Sequence, residues 1–135
     1  MPELPFPDHV RTLLTKPNPA VVTTLRSDGQ PISVATWYIL EKDDRVLLNM
    51  DHTRVRLKHL RRDPRLTLTV LDESSWYTHV SLIGRVVEMV DDEGLIDIDR
   101  LSTHYGGRPY PNRESPRVSA WMEIDRWHGW GAATD

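Results

Sequence analysis

The fold class is decided by the stretch Ala20-Val-Val-Thr-Thr-Leu-Arg-Ser-Asp-Gly-Gln-Pro-Ile-Ser-Val-Ala-Thr-Trp-Tyr-Ile-Leu40. Residues 20–26 and 31–40 are rich in β-branched and aromatic side chains, which favour strands. The Asp28-Gly29 pair between them is typical of a tight hairpin turn, because both residue types accept the positive φ angle that such a turn needs. The sequence therefore predicts two antiparallel strands joined by a short turn.

Four more segments have the spacing of strands, and they cover residues 45–50, 65–71, 76–90 and 117–127. Gly84 lies inside the longest of them and predicts a β-bulge or a sharp bend at that point. An all-β meander of this kind is typical of a closed or half-closed barrel, since closure removes exposed strand edges. We therefore expect one mainly-β barrel domain over residues 1–135, with short helices inserted.

Three short segments have helical spacing instead. The first follows Asp8, which is a candidate N-cap. The second covers residues 54–62 and is stopped by Asp63-Pro64. The third begins near residue 91 with an acidic first turn that suits the helix dipole, and Gly106-Gly107 end it.

The composition is that of an ordinary globular protein, with 39% hydrophobic and 27% charged residues. No apolar run is long enough to span a bilayer, and the first residues lack the basic start and apolar stretch of a secretory signal. A formal net charge of -3 is unlike that of a general nucleic-acid binder. We therefore expect a cytoplasmic protein that binds neither membranes nor nucleic acids.

The residue types exclude several kinds of chemistry. The chain has no cysteine, so disulfides, thiolate metal sites, iron–sulfur clusters and a cysteine nucleophile are excluded. Its six histidines lack the close spacing of a metal site, and no Gly-rich dinucleotide fingerprint, P-loop or Gly-x-Ser-x-Gly elbow occurs. We therefore expect no metal ion and no acyl-transfer chemistry.

The basic segment from Arg54 to Arg65 is the most informative local feature of the chain. It follows a predicted strand and opens a predicted helix, where free backbone N–H groups and the helix dipole attract an anion. Arg54 and Arg56 are placed to close on that anion with forked hydrogen bonds. Two interpretations stay open. The segment forms a phosphate site, or it is a solvated helix face whose arginines pair with the acidic residues 91–99.

The order of the segments resembles a known family, the split β-barrel flavin and deazaflavin oxidoreductases related to pyridoxamine 5'-phosphate oxidase. The segments that carry the resemblance are the hairpin at residues 20–31, Ser33-Val-Ala-Thr-Trp-Tyr38, Thr53-Arg-Val-Arg-Leu-Lys-His-Leu-Arg-Arg-Asp-Pro-Arg65 and the Trp-containing run at residues 76–87. They span nearly the whole chain. Arg56 stands where the family usually has Lys, and His59 where it often has Asn. The guanidinium fork of Arg56 still suits a phosphate.

The resemblance implies a homodimer in which the cofactor lies in a groove between the subunits. It also implies that the strand at Val34, Ala35 and Thr36 offers its backbone and small side chains to the cofactor ring system. A second strand beside the cofactor is implied to contain Trp76, Tyr77 and His79, and a basic turn is implied to hold the phosphate. The residues implied to hold the phosphate are Asn49, Thr53, Arg54 and Arg56.

The activity implied by the resemblance is hydride transfer from the reduced deazaflavin coenzyme F420 to a small, electron-poor organic acceptor. The short motif and the Trp-rich C-terminus resemble the deazaflavin branch, and FMN is the alternative cofactor. A non-catalytic carrier or redox sensor is a second hypothesis. A heme-binding variant is a third, with His52 or His128 as the iron ligand.

Further expectations concern the surroundings of the cofactor. The loop from Gly106 to Pro116 is the longest irregular stretch, so we expect it to shape the acceptor pocket. The region of Trp121, Trp127 and Trp130 is expected near the dimer interface. Candidate proton donors are His79, Tyr77, Tyr105 and Tyr110. Basic residues that could meet the acidic tail of the deazaflavin coenzyme are Lys58, Arg61, Arg108 and Arg113.

Overall fold

Seven strands form one antiparallel sheet in the computed structural model, which describes residues 1–134. The strands are β1 (Ala20–Leu25), β2 (Pro31–Thr36), β3 (Ile39–Leu40), β4 (Val46–Asp51), β5 (Arg65–Leu71), β6 (His79–Asp91) and β7 (Arg117–Trp130). Their order across the sheet is β2-β1-β5-β6-β7-β4-β3. The prediction of a mainly-β fold with short helices is confirmed.

Three α-helices interrupt the strands, and they are α1 (Asp8–Leu14), α2 (Val55–Arg62) and α3 (Ile96–Gly106). Short 3-10 turns lie at Glu93–Leu95 and Gly131–Ala133. The N-cap of α1 is Pro7, so the prediction of an Asp8 cap was wrong and Asp8 instead forms the first helical residue. Within residues 1–134, no helix combines the length and the apolar character that crossing a membrane requires.

The two edges of the sheet are joined directly by Trp37 and Tyr38. These residues connect β2 at one edge to β3 at the other. Three residue steps span at most ~11 Å at ~3.6 Å per residue, so the edges approach each other and the sheet curls into a barrel. The two edge strands are not hydrogen-bonded to each other. We call the Trp37-Tyr38 connection the seam.

The seam corrects the prediction of a single strand over residues 31–40. Tyr38 is fully buried, and its hydroxyl donates a hydrogen bond to the Leu14 carbonyl at 2.7 Å. A side chain held against α1 in this way leaves the pleat of β2, so the strand breaks there. Burial raises the pKa of Tyr38 far above its usual range, which keeps the hydroxyl available as that donor.

The core lies inside the curled sheet. Alternate residues of β1 and β5 are buried, as expected for strands with one face inward. Val22, Leu68 and Met122 come from three different strands and belong to the same cluster, to which α1 and α2 add Leu14 and Leu57. β2 differs from the others because it carries no buried residue on either face.

The long strand β6 bends at Gly84, as the sequence predicts. The register with β7 shifts between Ile83 and Gly84. A Cβ atom at Gly84 would overlap the carbonyl oxygen of Glu123. Only glycine therefore lets the two backbones approach closely enough to keep this bulge in place.

Candidate ligand-binding cleft

A cleft of about 620 Å³ opens beside the seam. Three of its lining residues are aromatic, namely Trp37, Tyr105 and Tyr110, and three are arginines, namely Arg54, Arg56 and Arg117. The rest of the lining consists of Pro17, Pro19, Ala20, Ala35, Thr36, Asn49, Glu73, Ile98 and Leu101. The cleft therefore combines flat apolar surface with concentrated positive charge.

The three arginines come from two elements. Arg54 is the N-cap of α2 and Arg56 lies in its first turn, while Arg117 begins β7. Among residues 1–134, no carboxylate lies within ion-pair distance of any of the three. Burial lowers the pKa of the Arg56 guanidinium, and repulsion from Arg54 and Arg117 lowers it further. Because arginine stays protonated at neutral pH, the cluster is a ready site for an anion.

The alternative interpretation of the basic segment is not supported. Within the described part of the chain, no ion pair joins residues 54–65 to the acidic residues 91–99. The acidic helix finds other partners, because Asp97 pairs with Arg100 and Asp99 pairs with Arg113. The basic segment is thus not a solvated face neutralised by α3.

Asn49 lies beneath the arginines rather than among them. It is 7% exposed, and its side-chain amide donates to Asp92 Oδ2 at 3.0 Å and to Ser119 Oγ at 3.1 Å. Its Oδ1 accepts a hydrogen bond from Arg117 Nε at 2.7 Å. The structure brings Asn49 into the predicted phosphate region, where it contacts Arg117.

Arg117 is a candidate site residue that the sequence reasoning missed. At the start of a strand it has no motif to distinguish it, and it follows a proline-containing loop. The available signal was the pairing of polar residues across β4 and β7, where Asn49 lies opposite Ser119 and Asp51 opposite Arg117. That pairing is visible only once the two distant strands are known to be neighbours.

The aromatic wall is built around the seam. Trp37 stacks on Tyr105 with ring centroids 5.3 Å apart and an interplanar angle of 13°. Tyr110 meets Trp37 edge-on at 6.2 Å. The Tyr105 hydroxyl donates to the Asn18 carbonyl at 2.7 Å, and burial raises the pKa of Tyr105 to about 12. Its proton is therefore engaged in holding the wall together.

The loop between α3 and β7 is fixed to α3 by Asp99. Arg113 binds both carboxylate oxygens of Asp99, at 2.7 and 3.1 Å, and the Tyr110 backbone N–H donates to Asp99 Oδ1 at 3.0 Å. The Arg117 guanidinium lies 4.8 Å from the centre of the Tyr110 ring. Tyr110 thus lines the cleft, whereas Arg113 is occupied by an ion pair, and the role of this loop in an acceptor pocket stays a prediction.

Half of the predicted cofactor residues line the cleft, namely Ala35, Thr36, Asn49, Arg54 and Arg56. The others, Val34, Thr53, Trp76, Tyr77 and His79, do not. Thr53 is engaged with Asp51 Oδ1 through both its N–H and its hydroxyl. Hydrogen bonds from Ser115 and from Thr53 hold the pKa of Asp51 well below its usual range. Thr53 therefore shapes the turn before α2.

The predicted strand around Trp76 and Tyr77 was wrong in its boundaries. These residues lie in a turn before β6, because Asp72 N–H donates to the Thr78 carbonyl and Thr78 N–H to the Ser75 carbonyl. Trp76 is 73% exposed and Tyr77 is 60% exposed. His79 is the first residue of β6. Contact of these side chains with a cofactor stays a prediction.

His52 and His128, the candidate heme ligands, are not among the residues that line the cleft. Across residues 1–134, no group of three or more His, Cys, Asp or Glu side chains is arranged to hold a metal ion.

Fold and cleft together define a small curled-sheet protein with a cleft lined by aromatic rings and three arginines. The family model for pyridoxamine 5'-phosphate oxidase matches residues 6–131. The chain therefore belongs to this family of flavin and F420 split barrels, which confirms the resemblance inferred from its sequence. No curated protein sequence matches the chain.

Solved structures show the same fold. An F420 reductase superposes with a TM-score of 0.81 at 20% identity, covering 90% of this chain and 97% of that protein. A conserved hypothetical protein from Mycobacterium tuberculosis superposes with a TM-score of 0.72 at 23% identity, covering 96% of this chain and 87% of that protein. A heme binding protein from Mycobacterium smegmatis superposes with a TM-score of 0.66 at 16% identity, covering 95% of this chain and 56% of that protein. Similarity at these identities carries the fold and leaves the ligand to be argued from the cleft.

Proposed function

We propose that this protein is an oxidoreductase that binds coenzyme F420 in the cleft and transfers hydride to a small, electron-poor organic acceptor. FMN is the alternative cofactor. The observation that carries the proposal is a cluster of three arginines that have no carboxylate partner among residues 1–134, beside a wall of aromatic rings. A flavin-type molecule has the matching parts, a planar ring system and a negatively charged phosphate-bearing chain.

The residues of the cleft fit this ligand in distinct ways. Arg54 and Arg56 bind the phosphate at the start of α2, where the helix dipole adds to the attraction. Trp37 and Tyr105, which stack on each other, form a wall along one side of the ring system, and the small side chains of Ala35 and Thr36 leave room for it. The bound cofactor supplies the hydride chemistry, while the chain binds it, orients it and excludes water from one side.

A proton must reach the reduced acceptor, and Tyr110 is the cleft residue best placed to deliver it. Among the described residues, its hydroxyl has no hydrogen-bond partner, whereas the Tyr105 hydroxyl is engaged with Asn18. The loop contacts to Asp99 hold Tyr110 at the cleft. Water is the alternative donor.

We propose further that the functional unit is a homodimer. β2 has no buried side chain, and Val34, Trp37, Trp76 and Trp130 are all more than a third exposed. A second copy that covered this apolar surface would also bring more side chains to the cofactor. Light scattering at micromolar concentration should give twice the 15.6 kDa mass of the chain. A monomeric mass with cofactor bound would contradict this part of the proposal.

The decisive test is a titration of the purified protein with coenzyme F420, with FMN and with heme, followed by absorbance and fluorescence. We expect saturable binding of F420 and turnover of its reduced form with a soluble quinone. Saturable FMN binding alone would select the alternative cofactor, and tight binding without turnover on a panel of acceptors would indicate a carrier or sensor. Binding of heme alone would overturn the proposal.

A further inference from the structure

Arg117 is held on two sides and open on a third. Its Nε donates to Asn49 Oδ1 at 2.7 Å, and its guanidinium lies over the Tyr110 ring at 4.8 Å. No protein group in residues 1–134 accepts a hydrogen bond from its two terminal nitrogens. A guanidinium held in this way loses little conformational freedom when it binds a ligand, because its orientation is already fixed.

Hydrogen bonds to two other residues fix the orientation of the Asn49 side chain. Its amide nitrogen donates to Asp92 and Ser119, so its oxygen must point toward Arg117. Asp92 is itself 7% exposed and accepts hydrogen bonds from the backbone N–H groups of Asp97 and Ile98. The start of α3 thus fixes Asp92, Asp92 fixes Asn49, and Asn49 fixes Arg117.

The charged side chains that line the cleft do not balance one another. Its charged lining residues are three arginines and Glu73, which leaves two positive charges in excess. A singly charged group would leave one of them unneutralised in a partly desolvated cleft. A group with two negative charges would neutralise both.

We propose that Arg117 is the third anion-binding side chain of the cleft, that Asn49 is its positioning residue, and that the site takes two negative charges lying close together. The inference rests on the proposed function and deepens it. A phosphate monoester such as that of FMN carries both charges on one group. Coenzyme F420 carries one on its phosphodiester and the others on its acidic tail.

The test compares ligands that differ only in the anion. Riboflavin has the ring system of FMN without its phosphate. The Arg117→Ala variant should bind FMN about tenfold more weakly than the parent and riboflavin within about twofold of it. Arg117→Lys should recover only part of the loss, since a lysine cannot make the Nε bond to Asn49 and stack on Tyr110. Equal losses for both flavins, or none for FMN, would overturn the assignment.

The role of Asn49 is tested through the ratio of the affinity for FMN to the affinity for riboflavin. Asn49→Ala should lower this ratio in the parent background. It should leave that ratio unchanged in the Arg117→Ala background, because Asn49 acts through Arg117. A structural role would lower affinity for both flavins alike, and an independent contact with the phosphate would lower the ratio again in the double variant. Either result would remove the positioning role.

Coenzyme F420 and its form without glutamates distinguish whether Arg117 binds the acidic tail or the phosphate. If Arg117 binds the tail, Arg117→Ala should weaken binding of the full coenzyme more than binding of the shortened one. If Arg117 binds the phosphate, the substitution should weaken binding of both forms equally. If the parent binds no flavin or deazaflavin, the proposed function fails. Arg117 is then tested by sulfate protection against thermal unfolding, and protection that the Arg117→Ala variant keeps in full would overturn the inference.

Discussion

Two sets of arginines in this protein have different surroundings. On the outer surface, Arg65, Arg85, Arg100 and Arg113 each pair with one or two carboxylates. In the cleft, Arg54, Arg56 and Arg117 sit together without any such partner in the described chain. Paired arginines serve the folded structure, whereas a mutually repelling cluster lowers stability unless an anion completes it. The contrast supports the proposal that the cleft binds an anion.

The largest expected effect is a loss of cofactor affinity on substitution of Arg56, which belongs to the cleft group. A charge-assisted hydrogen bond contributes about 1.5–3 kcal/mol, so Arg56→Ala should weaken cofactor binding by about ten- to a hundredfold. The thermal stability of the ligand-free protein should not fall, because the change removes a partly buried charge that Arg54 and Arg117 repel. Calorimetric titration and thermal unfolding of the same preparation measure both quantities.

The matched control for this prediction is Arg62, in the same helix. Its guanidinium donates to the Leu25 carbonyl at 2.7 Å and does not line the cleft. Arg62→Ala should therefore lose some stability while its affinity for cofactor stays near that of the parent. If Arg56→Ala instead binds like the parent and unfolds at a lower temperature, Arg56 is a structural residue and the phosphate assignment is withdrawn.

A smaller effect is expected at Arg113, which belongs to the paired group but donates a hydrogen bond to the carbonyl of Tyr110 at the cleft. Arg113→Ala frees the loop that holds Tyr110, so KM for a soluble quinone should rise several-fold while the Kd of the cofactor stays within about twofold. Steady-state kinetics with saturating reduced cofactor test this. Unchanged kinetics would show that the loop is only a surface connection between α3 and β7.

The smallest effect concerns pH and the paired group alone. Hydrogen bonds from Arg113 lower the pKa of Asp99, so the folded pKa lies below the unfolded value of about 3.9. The stability that Asp99 contributes is thus present above pH ~4 and is lost as the pH falls through the folded pKa. Asp99→Asn should unfold at a lower temperature than the parent at pH 7, and the difference should shrink below pH ~4. A constant difference from pH 3 to pH 8 would contradict this account.

Much of the fold follows from local signals in the sequence. The Asp28-Gly29 turn, the bend at Gly84 and the end of α3 at Gly107 each depend on a backbone conformation or a close approach that few residues allow. The start of α2 at the basic segment follows from its change of periodicity and from the strand before it. Such features can be predicted from the sequence because the residue type at a single position determines them.

Other features could not be predicted because distant residues determine them. The strand breaks at Tyr38 because its hydroxyl reaches the Leu14 carbonyl. Trp127 was expected near an interface, yet it packs on Phe6 and is fully buried in the core of its own chain. The cluster of Arg56 with Arg117 depends on β7 lying beside β4. The motif therefore identified two of the three arginines of the cleft, and the third, Arg117, could be found only from the tertiary structure.

The seam also bears on the order of events during folding. Only two residues separate β2 from β3, so the two sheet edges stay tethered to each other even in the unfolded chain. The costly steps of barrel closure are therefore the pairings of β1 with β5 and of β4 with β7, which bring together residues far apart in the sequence. Once those pairings form, the tether brings the edges together with little further loss of chain entropy.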